Sequence, residues 1–310
     1  MAYRMKIAAA VLLLALPAAA QEVKRPRITG IAHIAIYARD IEKSRAFYTG
    51  FLGYAEPFSL KNPDGSLALT FFKINDRQYI ELFPETRAGG DRMSHISIET
   101  DNAEQLRAYL ASRGIQTPPT ASKGRIGNSN FNVSDPDGHT VEFVQYEADG
   151  QTLRNRGKFM GDGRISTWMS HIGILVGALE PAMRFYRDVL GFQETWRGGR
   201  DSKQLDWVNM KVPDGDDYIE FMLYRDQVPA QTLGVMHHIC LTVPDMTEAA
   251  ARLESHPLRK SYTRPIEVRT GINRKRQINL FDPDGTRTEL MEPKTVDGLP
   301  VPSSTAPPPR

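Results

Sequence analysis

The sequence contains one cysteine, Cys240, in 310 residues. No intramolecular disulfide can form, so stability must come from a buried core whatever the redox compartment. Charge of one sign is missing too: 39 Lys and Arg stand against 37 Asp and Glu. That balance removes the global electrostatic case for a nucleic-acid or membrane-surface partner. The N-terminal apolar run, Ile7–Leu16, is too short for a comfortable membrane span. Arg4 and Lys6 precede it and Ala18, Ala19 and Ala20 follow it, the pattern of a secretory signal peptide over residues 1–20, with an uncleaved anchor as the alternative. Cleavage after Ala20 removes two basic residues and no acidic ones, leaving a neutral mature chain with no membrane association and a secreted or periplasmic location.

What the chain does have is repetition. "HIAIYARDIEKSRAFYTGFLGY" from His33 lines up with "HIGILVGALEPAMRFYRDVLGF" from His171, and "NVSDPDGHTVEF" around Asp135 with "NLFDPDGTRTEL" around Asp282. Two copies result, residues 28–147 and 167–293. They are joined by a polar, Gly-rich linker over 148–166 whose basic residues read as a solvated face. Residues 294–310, rich in Pro and Ser, are expected to be a disordered tail. Each copy divides again into two similar halves. A strand from His33 leads into a helix with Asp40 as N-cap and Gly53 as stop, then strands broken by turns such as "NPDG" and ending in "YIELF". The second half repeats this plan with "HISIE" from His95, a helix opened by Asn102 with Gln105 as capping-box partner, and strands ending in "TVEFV". In the second copy the helices start near Pro181 and near Asp245, with Glu248 three positions on. Strand, helix and three strands thus occur four times, an α+β pattern.

Each half carries polar residues inside its apolar strands. The first copy has His33, Glu81, His95 and Glu142, and the second has His171, Glu220, His238 and Glu289 in matching places. Strand alternation frames each with small or apolar residues on one face, which suits a concave pocket. A lone strand Glu is ordinarily solvated, and a lone His on an apolar face is ordinarily a hydrogen-bonded core residue. Two His and two Glu recurring together would be costly to bury without partners, whereas a divalent cation satisfies all four. The N2O2 donor set suits Zn, Ni, Co, Mn or Fe(II) and does not choose among them. His139 after a turn reads as solvated, His237 points away from His238, and His256 suits a helix end. Cys240 shares a face with His238 and is either a buried structural thiol or part of the second pocket.

With these residues in place, the chain resembles the vicinal oxygen chelate superfamily, which contains glyoxalase I, type I extradiol dioxygenases, methylmalonyl-CoA epimerase and the fosfomycin and bleomycin resistance proteins. The "RAFYTGFLGY" and "MRFYRDVLGF" helices and both "DPDG" hairpins carry the resemblance. It implies two tandem domains, each of two βαβββ modules forming a cupped mixed sheet around a metal. The His-Glu-His-Glu order is closest to glyoxalase I. In that enzyme the cation binds both oxygens of an α-oxo-thiohemiacetal and stabilises the enediolate left when a glutamate takes a proton. By position, Glu142 and Glu289 would be the displaceable ligand and base.

The expected function is therefore an exported, metal-dependent lyase or isomerase acting on a small oxygen-chelating substrate such as a 2-oxo or hydroxy-carbonyl compound. Extradiol ring cleavage is an alternative. Against it, Asn279 and Asn132 stand where that family's tyrosine is expected, and "EVRTGINRKRQINL" holds no histidine. A small-molecule binding or resistance protein without catalysis is the third reading. The basic "RTGINRKR" could hold an anionic substrate or be an exposed charged hairpin. The modules could pair within each copy or exchange between copies. Either arrangement gives two sites per chain and needs no partner subunit.

Overall fold

Asp40, Asn102 and Asp245 each open a helix by accepting backbone N–H groups: Lys43 N at 3.1 Å, Gln105 N at 2.9 Å and Thr247 N at 2.7 Å. In the computed structural model, which describes residues 23–86, 89–224 and 228–309, these helices cover the outer faces of two cupped sheets. The signal peptide expected over residues 1–20 lies outside the described residues. Among those residues no helix is long and apolar enough to cross a membrane.

The first sheet has eight strands: β1 (Ile28–Ala38), β2 (Ala55–Lys61), β3 (Leu67–Lys73), β4 (Tyr79–Pro84), β5 (Met93–Thr100), β6 (Ser122–Lys123), β7 (Ser129–Ser134) and β8 (Thr140–Gln145). The second repeats it with β9 (Met169–Val176), β10 (Gln193–Gly198), β11 (Trp207–Lys211), β12 (Tyr218–Leu223), β13 (His238–Thr242), β14 (Arg269–Thr270), β15 (Lys275–Phe281) and β16 (Arg287–Thr295). The strand orders are β2-β3-β4-β1-β5-β8-β7-β6 and β10-β11-β12-β9-β13-β16-β15-β14. Four βαβββ modules are present, and the two modules of each copy join through their first strands, β1 antiparallel to β5 and β9 antiparallel to β13. Exchange of modules between copies does not occur. Ile34, Ile80, Ile96 and Phe143 fill the outer face of the first sheet, and Ile172, Ile219, Ile239 and Leu290 that of the second, all buried. Nearly continuous burial of β1 and β9 explains their unbroken apolar character.

The recurring motifs also bind the copies to each other. In each "DPDG" turn the first aspartate caps the turn with one oxygen: Asp135 Oδ1 accepts His139 N at 2.8 Å and Asp282 Oδ1 accepts Thr286 N at 2.8 Å. The other oxygen accepts a tyrosine hydroxyl from the opposite copy, Tyr186 to Asp135 at 3.0 Å and Tyr48 to Asp282 at 3.1 Å. The second aspartate of each turn reaches across as well, with Asp137 accepting Gly177 N and Asp284 accepting Arg39 N, both at 2.9 Å. A third reciprocal pair involves the residue before the Tyr-x-Glu run: Asp217 accepts Ile31 N at 2.8 Å, and Gln78 accepts Met169 N at 2.9 Å.

Two expected coil segments are more ordered than composition implied. The linker holds a helical turn over Gln151–Arg154. It is anchored to the first domain by fully buried Lys73, whose Nζ donates to Asp76 Oδ1 at 2.8 Å and to the carbonyls of Asn155 and Lys158 at 2.6 and 2.9 Å. The tail, expected to be disordered, is tied to the second domain: Ser304 N donates to Arg197 O at 2.9 Å, Pro307 O accepts Leu205 N at 2.8 Å, and Ala306 is buried. Proline removes donors but leaves carbonyls, and this loop uses one of them.

Burial pushes the Asp282 carboxyl up from an ordinary 3.8 to about 6. Between those values the folded chain keeps a proton that the unfolded chain has released, so this contribution to stability is lost as pH rises through about 6. Asp282→Asn, which is isosteric and carries no charge, should therefore gain in Tm relative to the parent as pH rises across that interval. A difference in Tm that does not change with pH would contradict the assignment.

Candidate metal centres

Strand register builds the first cup. His33 on β1 is opposite Ser97 on β5, Ser97 is opposite Glu142 on β8, and Ala35 is opposite both Glu81 on β4 and His95 on β5. All four ionisable groups thus emerge on the concave face. His33 Nε2 and His95 Nε2 lie 3.0 Å apart. Glu81 Oε2 is 3.2 Å from the first and 3.4 Å from the second. Glu142 stands further back, at 3.9 and 3.8 Å, and its Oε1 accepts the Ser97 hydroxyl at 3.0 Å. Burial is the largest single influence on His33 and opposes its charge, yet the carboxylates of Glu81 and Glu142 together hold the imidazole above its ordinary value. Burial likewise opposes charge on Glu81, and the two imidazoles outweigh it, holding the carboxyl down at about 2. Phe58, Phe71, Tyr79 and Phe83 wall a cavity of about 200 Å³ in front of these groups.

The second cup repeats the register, with Cys240 opposite both His171 and Glu289 and Gly173 opposite both Glu220 and His238. His171 Nε2 and His238 Nε2 are 3.1 Å apart. Glu289 lies 3.7 and 3.3 Å from them and Glu220 3.9 and 3.5 Å, so here Glu220 is the carboxylate set back. The electrostatics are reversed. Burial, then the charge of His238, holds His171 well below its ordinary value, and burial, then Arg287, does the same to His238. Burial and the nearby Glu289 push Glu220 up to about 8. Arg287, whose Nη2 is 2.7 Å from His238 Nδ1, adds to burial at the two imidazoles and opposes the raised pKa of Glu220.

These residues fit a divalent cation. In each cup two imidazole nitrogens and two carboxylates converge from four strands. The triples His33, Glu81, His95 and His171, Glu220, His238 each present donor atoms within 4.8 Å of one another. His238 Nδ1 lies 2.8 Å from Met236 O, and donation to that carbonyl leaves the Nε2 lone pair facing the cluster. Cys240 belongs to the second site's surroundings: it forms another such triple with His171 and Glu289, and burial keeps its thiol protonated well above its ordinary range.

The other histidines lie elsewhere. His139 is not solvated: its Nδ1 is 2.8 Å from Asp135 Oδ2 and its ring packs edge-on against His237 across the domain interface. His237 faces Asp91 at 3.0 Å. His256 caps the following turn by accepting Leu258 N at 3.1 Å rather than closing the preceding helix. Sequence reasoning missed Ser97, Gly173 and Arg287. Each sits two residues from a candidate ligand and so on the same strand face, a spacing signal present in the sequence.

A family model described as the Glyoxalase/Bleomycin resistance protein/Dioxygenase superfamily matches residues 30–143 and 168–290. The chain belongs to that superfamily. Among curated members, a lactoylglutathione lyase of Schizosaccharomyces pombe is 23% identical, with 84% of this chain and 96% of that relative covered. Among solved superfamily structures, the 2,3-dioxygenase LapB from Pseudomonas sp. KL28 matches with a TM-score of 0.65 at 16% identity, over 91% of this chain and 99% of the other. The Mn(II)-bound glyoxalase from Novosphingobium aromaticivorans matches at 0.62 and 17% identity, over 86% and 83%. At these identities the structural likenesses establish the fold alone.

A Cβ on Gly173 would lie 1.9 Å from His238 Cε1, so only glycine lets that ring reach the cluster. Gly173→Ala should lower bound metal per chain by about half while the first cup stays loaded, and His33→Ala should do the converse. Equal loss from both cups, read by metal analysis of single and double variants, would mean that the sites are not independent.

Proposed function

We propose that the chain is an exported, divalent-metal-dependent enzyme of glyoxalase type, a lyase or isomerase of small oxygen-chelating substrates such as 2-oxo or hydroxy-carbonyl compounds. The observation that carries this reading is the set-back carboxylate. Glu81 is close to both imidazoles, whereas Glu142 is 3.8 to 3.9 Å away with one oxygen held by Ser97. A carboxylate so placed can take a proton from a carbon beside a carbonyl and return it to the neighbouring carbon, an internal transfer that needs no redox partner. The chemistry a bound divalent cation supplies is stabilisation of the oxyanion that develops as that proton leaves. Ser97 orients the carboxylate, and the aromatic walls exclude water from the proton in transit.

In the second cup Glu289 occupies the matching strand position, but Glu220 is further from the imidazoles and carries the raised pKa. Proton transfer there is divided between two candidates, and both need testing. Extradiol ring cleavage is disfavoured because the residue opposite Glu289 on β15 is Asn279, with no phenol to act at that place.

The decisive measurement is turnover of the methylglyoxal–glutathione hemithioacetal by the metal-loaded full chain beside Glu142→Gln, Glu220→Gln and Glu289→Gln. Loss of about 10²- to 10⁴-fold in kcat is expected when the operative base is removed. Oxidation of catechols in its place would establish the dioxygenase reading, and metal binding without turnover of either would leave a small-molecule binding protein. For the export reading, N-terminal sequencing of protein recovered outside the cytoplasm should begin at Gln21; a cytosolic product starting at Met1 would reject it.

A further inference from the structure

The two cups share their candidate ligands but not their walls. Opposite Glu81 on β3 stands Phe71, and opposite Phe71 on β2 stands Phe58, with ring centroids 4.6 Å apart. The same register positions in the second cup hold Asn209, opposite Glu220, and Trp196, opposite Asn209. Two residues before the last glutamate, Thr140 of the first cup is replaced by Arg287. Asn209 Oδ1, Asn279 Oδ1, Trp196 Nε1 and Arg287 Nε are all buried without a hydrogen-bond partner among the described residues. Unsatisfied buried polar atoms are costly; Trp196 and Asn209 line one cavity, and Asn279 stands opposite Glu289 with Arg287 two residues before it.

The second sheet carries two cations, Lys275 on β15 and Arg287 on β16, and among the described residues neither has a carboxylate within ion-pair distance. Arg287 Nη2 touches His238 Nδ1 at 2.7 Å and Met222 Sδ at 3.6 Å. The first contact competes with Met236 O for the same ring nitrogen, so the guanidinium has no settled acceptor. Lys275, on β15, lines a cavity of about 470 Å³ together with Trp196, Asn209 and Tyr218, its rim formed by the tail residues Gly298–Val301. Its neighbours on the hairpin are spoken for: Arg269 by Glu267, Arg274 by Asp297 and Arg276 by Glu292. Of the basic "RTGINRKR" run, Lys275 is thus the residue turned to the cup and left for a ligand.

We propose that the second cup is the binding site of an anionic hydroxy- or oxo-carboxylate, with Lys275 and the Trp196 indole N–H meeting the carboxylate, Asn209 and Asn279 accepting from hydroxyl groups, and Arg287 supplying further positive charge, while the first cup takes neutral, apolar ligands. This rests on the reading of the cups as ligand sites and names the substrate class that divides them. Charge recognition by Lys275 does not require the metal.

Malate serves as the anionic probe and catechol as the neutral one, titrated calorimetrically into the full chain both Mn(II)-loaded and metal-free, with metal content measured on the same samples. Lys275→Met and Arg287→Met should each weaken malate binding about tenfold or more, Lys275→Arg should retain it, and catechol binding should be unmoved by all three. Unfolding midpoints matching the parent show that the variants are folded, and His171→Ala offers a second test, since it removes a ligand but leaves both cations. Malate affinity unchanged by Lys275→Met, or absent from the parent chain, overturns the proposal. Lys275-dependent malate binding by protein that takes up no Mn(II) on loading would sustain it while removing the metal-centre reading, so the two failures are distinguishable.

Discussion

The antiparallel pairing of the first strands, β1 with β5 and β9 with β13, is the constraint on which the rest of the molecule depends. Each pairing brings two imidazoles from remote parts of the chain to about 3 Å. It also fixes which face every later strand presents, because a one-residue slip would turn the histidines into the apolar core. Parallel pairing of the last strand of each module then delivers its glutamate to the same hollow. The cup is thus a product of register rather than of any single residue.

The same economy governs the domain interface. An aspartate in each "DPDG" turn uses one oxygen to close its own hairpin and the other to receive a tyrosine from the opposite copy. Hairpin geometry and domain docking are therefore coupled through a buried carboxylate, and at Asp282 the raised pKa reflects the cost of burying it. Because both copies carry Tyr and Asp at equivalent positions, duplication yields the contacts in reciprocal pairs. Recurrence that reads in sequence as a family signature is here also a docking device.

Within that shared frame the cups have diverged electrostatically. Glu81 and His33 form a mutually stabilised charge pair in an aromatic pocket, whereas in the second cup burial, aided by Arg287, keeps both imidazoles neutral, and burial with Glu289 keeps Glu220 protonated. Burial leads in each case, and Arg287, standing where the first cup has Thr140, adds to it at the imidazoles. Superfamily membership alone does not distinguish the two sites, and the walls do.

The fold was legible in the sequence because strand alternation, caps and stops repeat four times and agree with one another. The caps at Asp40, Asn102 and Asp245 and the His and Glu positions could be read for the same reason. His139 could not: an imidazole after a turn looks solvated until a second domain packs on it. Nor could the tail, whose Ser304 N–H and Pro307 carbonyl find partners at Arg197 and Leu205, far away in the chain. By itself the sequence determined the repeated modules and the identity of the groups that converge. Tertiary structure alone decided that modules pair within each copy, that Glu142 stands back in one cup and Glu220 in the other, and that among the described residues Lys275 has no carboxylate to pair with. Those outcomes depend on distances between segments remote in sequence, which local periodicity does not encode.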